Sequence, residues 1–258
     1  MSSLTPQEAE RYRRHILLKE IGGPGQQRLK AAHVAIVGVG GLGAPAALYL
    51  AAAGVGRLTL IDPDEVALSN LQRQVIYRAS DVGAGKVSAA AQRLQALNPH
   101  THVEARRERL DQSNAEALLH GATAALDGTD DFATRFGVND AAHRCGIPLV
   151  SGAVGRWNGQ VGVFASGLTR NAAPADRLPC YRCFVPEAPP DTEPCALAGI
   201  VGALTGVIGA MMALETIKII AGAGETLAGR VLLYDGLGAQ TRTVRLPVDP
   251  DCATCGRS

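Results

Sequence analysis

Two Cys-x-x-Cys pairs, Cys180/Cys183 and Cys252/Cys255, hold four of the chain's six cysteines. Each pair sets two thiolates on a tight turn, and two such turns brought together supply the four soft ligands of a tetrahedral structural zinc. Two redox dithiols or disulfides are the other chemistry this spacing allows. The pairs stand about 68 residues apart, against roughly 15–20 in a compact zinc ribbon, so the expected metal clamps a larger fold and does not make a nucleic-acid module. The N-terminal stretch Met1–Glu10 is polar and acidic, with no apolar run of signal-peptide length. The expected setting is therefore cytoplasmic, where thiols stay reduced and metal is favoured over disulfide.

A second set of residues points to a nucleotide. Gly38-x-Gly40-Gly41-x-Gly43 follows an apolar β-branched run and opens an Ala-rich helix, the context in which backbone N–H groups and a helix N-terminus receive phosphate. Asp62 ends the next strand, where a carboxylate can hold a ribose hydroxyl pair or simply cap the Asp-Pro-Asp turn. Such geometry serves NAD and ATP alike, and the cations downstream separate them. Ser69-Asn70-Leu71-Gln72-Arg73-Gln74 places a guanidinium and amides in one loop, Lys86 begins a helix after Gly83-x-Gly85, and Arg14 lies in a basic N-terminal turn. A triphosphate needs several cations, and a dehydrogenase has little use for them. Asp127-Gly128-Thr129-Asp130-Asp131 follows another strand, a position suited to Mg²⁺ held by carboxylate and phosphate oxygens. Asp131 is also placed to cap the following helix, so Asp130 is the favoured ligand.

Positioning these groups requires alternating strands and helices. The expected strands are 33–37, 57–61, 103–106, 124–126, 148–151, 160–165, 231–234 and 243–246, with helices near 45–53, 84–97, 112–119 and 131–145. The fold class is thus α/β, a Rossmann-like doubly wound, mostly parallel sheet extended by C-terminal antiparallel strands. Residues 1–30 read as a helical arm broken at Gly22-Gly23-Pro24-Gly25, residues 31–165 as the nucleotide-binding core, and residues 166–258 as a loop, a buried helix and a zinc-clamped end. Thr169–Pro194 reads as a long mobile loop. Cys195–Leu214 is an uncharged stretch of about 20 residues with Gly202-x-x-x-Gly206, the texture of a membrane span. Its modest Leu and Phe content, with Glu215 and Lys218 directly after, favours a helix buried all round, between the sheet and another subunit. The 258 residues carry 47% hydrophobic and 19% charged side chains and a net charge of +1. That balance gives no global field for a nucleic acid or an anionic membrane.

Arg11-Tyr12-Arg13-Arg14-His15, Gly38–Gly43, Ser69–Gln74, Lys86, Asp130 and both Cys pairs together resemble the sulfur-carrier adenylyltransferases of the ubiquitin-activating superfamily, the ThiF-type enzymes of molybdopterin and thiamine biosynthesis. The resemblance runs from Arg11 to Cys255. It implies Mg-ATP-dependent adenylation of the C-terminal glycine of a ubiquitin-like carrier ending in Gly-Gly, with pyrophosphate leaving and a thiocarboxylate formed afterwards. It also implies that Gly41, Asp62, Ser69, Asn70, Arg73, Lys86, Asp130 and Asp131 line the nucleotide and magnesium site. Arg14 would reach the nucleotide of the neighbouring subunit in a homodimer. In some relatives a cysteine in the region of Cys195 bonds covalently to the carrier, and here it precedes an apolar helix whose N-terminus would lower its pKa. Cys145 reads as structural. The chain stops three residues after Cys255, so sulfur is expected from a separate cysteine desulfurase or rhodanese-type donor, or through Cys195. Activation of a modified tRNA base, an NAD-dependent oxidoreductase and a non-catalytic zinc-stabilised nucleotide scaffold are the remaining readings.

Overall fold

The central parallel strands are mostly apolar runs because both of their faces are covered, whereas the edge strand, HVEAR, is largely open. In β1 (His33–Val37) the alternation that a strand imposes sends Val34 and Ile36 to one core layer and Ala35 and Val37 to the other. Strands β2 (Arg57–Ile61), β3 (His102–Arg106), β4 (Ala124–Asp127) and β5 (Leu149–Gly155) complete the parallel half, and β6 (Asn158–Phe164), β7 (Arg230–Asp235) and β8 (Gln240–Arg245) follow antiparallel. The order β3-β2-β1-β4-β5-β6-β7-β8 reverses between β1 and β4. Loops leaving the carboxyl ends of two strands that diverge in this way open a crevice. The computed structural model describes residues 3–189 and 199–256.

Ten α-helices among the described residues cover this sheet or extend from it. The arm contains α1 (Pro6–Arg11), α2 (Arg13–Ile16) and α3 (Gly22–Ala31). The capping box of α1 is closed by Thr5 and Glu8, and Glu8 also pairs with Lys30 at 2.8 Å. Tyr12 and Gln26 nail the arm to the sheet's helices. Asn98 donates to the Tyr12 hydroxyl at 2.8 Å, and the Gln26 amide donates to the Ala53 carbonyl at 2.8 Å. The Gly22-Gly23-Pro24-Gly25 run, read from sequence as a break, is the first turn of α3. Proline is tolerated there because first-turn N–H groups have no helical acceptor.

The remaining helices are α4 (Gly43–Ala53), α5 (Lys86–Leu97), α6 (Ala115–Leu119), α7 (Phe132–Cys145), α8 (Ser166–Thr169), α9 (Tyr181–Phe184) and α10 (Gly202–Ala221). On one face α10 packs across α3, α4, β5 and β6. Gly152, Gly159 and Gly209 sit where a side chain would collide with Met212, Ile208 and Pro45 respectively, so small residues bring this helix close to the sheet. With 20 residues and a mean hydropathy of 1.6, α10 has the length and composition of a membrane span. It is a core helix, packed on the sheet as expected, and the face on which a second subunit was expected is open in the single chain. Val207 and Leu214 are 38% and 56% exposed on the face turned away from the sheet.

The expected mobile loop is also partly folded. Cys180 and Tyr181 are buried, and α9 forms a helical turn against α7. Strands β5 and β6 run longer than expected and pair into a hairpin from Leu149–Phe164 to Gly155–Asn158. Cross-strand pairing extends them past the apolar stretch that marked them in sequence.

Candidate functional site

The glycine loop leaves β1 at Gly38, whose φ of +81° suits glycine. A Cβ on Gly43 would run into the Gly38 carbonyl, so the turn that aims the N-terminus of α4 can close only with glycine there. Two buried side chains fix the loop between them. Asp62 accepts the Val39 N–H at 2.8 Å and the Asp64 N–H at 2.9 Å, while the Tyr77 hydroxyl donates to the Val39 carbonyl at 2.8 Å. Burial, and then the nearby Asp62 and Asp64 charges, push the Tyr77 phenol far above its ordinary range, so it remains a donor. Asp62 thus pins the loop, and each of its oxygens keeps a second lone pair for a ribose hydroxyl.

Beyond β2 the chain returns to the same loop. Asn70 caps its own turn by accepting the Ala67 N–H at 3.1 Å, and exposed Ser69 offers its carbonyl to the half-buried Arg73 at 3.2 Å. Gln74 is 4% exposed, its amide lies beside Gly40, and its Oε1 has no hydrogen-bond partner. Thr205, near the start of α10, touches Gly41 and donates to the Arg73 carbonyl at 3.2 Å. Lys86 at the start of α5 is buried apart from 8% of its side chain and pairs with Asp64 at 2.8 Å. Asp64 is well exposed, so an incoming anion can compete for that ammonium.

The opposite wall follows β4. Asp127 is buried and receives the Thr129 N–H at 3.0 Å, the Thr129 hydroxyl at 2.6 Å and the Ser151 hydroxyl at 2.8 Å. Buried Arg135 lies 3.5 Å from the same carboxylate and donates to the carbonyls of Thr129 and Gly152. Asp131 caps α7 by accepting the Thr134 N–H at 2.8 Å, as its position suggested. Asp130 is exposed between these fixed neighbours, and Thr129 lies against Gly38. A hard, solvent-facing carboxylate beside a phosphate-type loop suits magnesium.

The structure therefore brings together Gly38, Gly40, Gly41, Gly43, Asp62, Ser69, Asn70, Arg73, Lys86, Asp130 and Asp131. Arg14 stands apart, exposed on α2, which packs against α1 and α3. Cys195 lies outside the described residues. Sequence reasoning missed Tyr77, Arg135, Ser151 and Thr205, whose partners are distant in sequence, and Asp64, which lies within the Asp-Pro-Asp turn.

The four cysteines converge. Their Sγ atoms all lie within 4.8 Å of one another, with Cys180–Cys252 and Cys183–Cys255 at 3.4 Å. A tetrahedral zinc with bonds of about 2.3 Å places its sulfurs about 3.8 Å apart, so the set fits. The Cys180 and Cys255 thiols and the Asp249 N–H surround Cys183 and hold it far below the ordinary thiol range, while contact with Cys183 pushes Cys180 up. Four sulfurs crowded at these separations are a ligand set that a soft dication fills. Cys145 is half-buried near the Glu116 carbonyl, away from this cluster.

The model of the ThiF family matches residues 12–254. A sulfur carrier protein adenylyltransferase of Thermus thermophilus is 45% identical over 98% of this chain and 92% of its own length. A SAMP-activating enzyme E1 of Haloferax volcanii is 44% identical over 98% of this chain and 91% of its own. Among solved structures, E. coli MccB with ATP superposes with a TM-score of 0.79 at 23% identity, over 95% of this chain and 74% of the other, which supports the fold.

Proposed function

The chain belongs to the ThiF family, and from this and the geometry of the crevice we propose that it adenylates the C-terminal carboxylate of a small ubiquitin-like sulfur-carrier protein with Mg-ATP. The observation that carries this reading is the opposition of charges across the strand reversal. Asp130 faces solvent from one wall, while on the other Arg73 is tied through its carbonyl to Thr205, which lies against Gly41, and Lys86 pairs with Asp64, whose N–H is held by the same Asp62 that fixes the glycine loop. A reaction that joins a carboxylate to a polyphosphate must overcome repulsion between anions, and this arrangement answers that need.

In this reading the Gly38–Gly43 N–H groups receive phosphate oxygens, Asp62 holds the ribose, and Arg73 and Lys86 screen the triphosphate. Magnesium held by Asp130 neutralises phosphate charge when bound. A carrier carboxylate oxygen bonds to the α-phosphorus as the bond to pyrophosphate breaks. The nucleophile is already ionised, so no side-chain base is needed. A sulfur nucleophile from a separate cysteine desulfurase or rhodanese-type donor then displaces AMP on the way to the thiocarboxylate. Sulfur transfer toward molybdopterin or thiamine, in a cytoplasmic setting, is the biological context.

An open groove of about 460 Å³ crosses β5 to β8 and is lined by Ala153, Gln160, Leu233 and Arg242 among others. The groove begins at Ala153, directly after Gly152, whose carbonyl Arg135 holds, and in this reading it gives the carrier a place to lie. The exposed apolar residues Val207 and Leu214 of α10, Tyr49 of α4, and Leu17 and Leu18 after α2 support a homodimer. Arg14 would then complete the site of the partner subunit.

The pathway is tested by capturing the carrier and reading its C-terminus by mass spectrometry. A Gly-Gly end that gains AMP with ATP, and exchanges oxygen for sulfur with the donor, supports the proposal. A captured partner without a free C-terminal glycine contradicts it.

A further inference from the structure

Among the described residues, a chain of side chains links the four-cysteine cluster to the acidic wall of the crevice. Both Cys turns seat on one turn of α7. From the first, the Tyr181 N–H donates to Asn139 Oδ1 at 2.7 Å and Arg182 pairs with Asp140 at 3.2 Å. From the second, Thr254 donates to Asp140 Oδ1 at 2.5 Å. The Arg182 guanidinium also lies 4.0 Å from the Phe136 ring centroid.

Tyr181 follows the ligand Cys180 directly and is 3% exposed. Its ring packs edge-on against Phe164 at 5.4 Å, and the Arg135 guanidinium sits 6.0 Å from its centroid. Arg135 in turn holds the carbonyls of Thr129 and Gly152, the Ser151 hydroxyl and the Asp127 carboxylate. Asp130 is the next residue after Thr129. The cysteine cluster thus continues along the chain from Cys180 to the Tyr181 ring, and from that ring to the Arg135 guanidinium.

We propose that Tyr181 and Arg135 form a brace through which the four-cysteine cluster positions the acidic loop, so that metal occupancy at the sulfurs sets how well Asp130 receives magnesium. The proposal rests on the reading of the crevice as a Mg-ATP site. Tyr181 and Arg135 are positioning residues in it. The thiolate cluster holds α9 on α7, α9 presents Tyr181, and Tyr181 keeps Arg135 turned toward the Thr129 carbonyl. Without the metal, α9 loosens, Arg135 gains freedom, and the loop carrying Asp130 samples orientations that do not fit a small cation with strict geometry.

The test measures ATP binding to the full-length, zinc-loaded protein by calorimetry as Mg²⁺ is varied, together with zinc content and Tm. Tyr181→Leu is expected to keep its zinc and to raise the Mg²⁺ concentration at half-saturation by about tenfold, within the usual range of coupling between sites. Tyr181→Phe, which retains the ring, raises it by about twofold to threefold. Arg135→Lys, which leaves the cysteines and their neighbours intact, raises it as Tyr181→Leu does and covers the case in which Tyr181→Leu loses zinc. Chelating zinc from the unmodified protein gives the Tyr181→Leu value, and chelating it from Tyr181→Leu adds nothing further. ATP binding without Mg²⁺ stays the same throughout. A lower Tm with no change in Mg²⁺ dependence in both Tyr181→Leu and Arg135→Lys would overturn the brace, as would an equal chelator response in the variant and the unmodified protein. Absence of any Mg²⁺-dependent ATP binding in the unmodified protein would instead overturn the reading of the site itself.

Discussion

The glycine wall and the acidic wall of the crevice face each other across the strand reversal, yet they are held by different parts of the chain. Val39 in the glycine wall is fixed by Asp62 and Tyr77, and Lys86 by Asp64, all within the parallel half of the sheet. Asp127 in the acidic wall is fixed by Ser151 on β5 and by Arg135, which reaches Gly152 and packs against Tyr181 beside the cysteine cluster. Both walls rest first on the parallel half, and each takes a different contact from the C-terminal half: Thr205 of α10 lies against Gly41 on one side, and Tyr181 beside the cysteine cluster packs on Arg135 on the other. A shared site with separate supports can lose cation placement while it keeps its anion cradle.

Substitutions that act on one wall should show this separation, and the largest effect falls on Asp130. Asp130→Ala is expected to lower adenylation by at least about a hundredfold while circular dichroism and Mg²⁺-free ATP binding stay unchanged, since its side chain faces solvent. Equal loss of Mg²⁺-free binding would merge the two walls into one unit. Cys252→Ser, which removes one of the four sulfurs, should lower Tm by on the order of 10 °C. Amide exchange should then accelerate first in α9 and the C-terminal turns, and last in β1 and the glycine loop. Tyr77→Phe is the converse probe. It removes one buried hydrogen bond to Val39 and should cost about 1–3 kcal/mol, weakening ATP binding without moving the Mg²⁺ half-saturation point.

The smallest effect is a pH response of the arm that carries Arg14. Burial of Glu8 works against its ionisation, but Lys30 and Thr5 together outweigh it and hold the carboxyl at about 2, below its ordinary 4.5. A depressed carboxyl pKa contributes stability above the unfolded value and loses it as pH falls. Amide protection of α1 should therefore fade between pH 4.5 and 2. Glu8→Gln should lack that response, and an identical acid response in the variant would assign it to other carboxylates.

The anion cradle was legible in sequence because it is built from local signals, namely strand, glycines, helix and a carboxylate at the next strand end. The cysteine quartet was legible for a different reason, since the doubled Cys-x-x-Cys has few alternative chemistries. The brace was not legible. Arg135 falls in the expected helix 131–145 with no local signal for a role, and its burial follows from acceptors on β5 and on the loop after β4 that only tertiary packing brings together. Tyr181 falls within the segment read as a long mobile loop, and it is buried because Phe136, Phe164 and Phe184 gather around it from three other positions in the chain. The Gly-Gly-Pro-Gly turn was misread for the opposite reason. Its composition signals a break, but at a helix start the missing proline N–H costs nothing.

The most direct test of the central claim is ATP–pyrophosphate exchange with the purified protein and a ubiquitin-like carrier ending in Gly-Gly. Reversible formation of an acyl-adenylate predicts exchange that requires the carrier, Mg²⁺ and the intact C-terminal glycine, and that is lost when the carrier's last residue is removed. Absence of exchange with any such carrier, under conditions in which ATP binds the glycine wall, would contradict it.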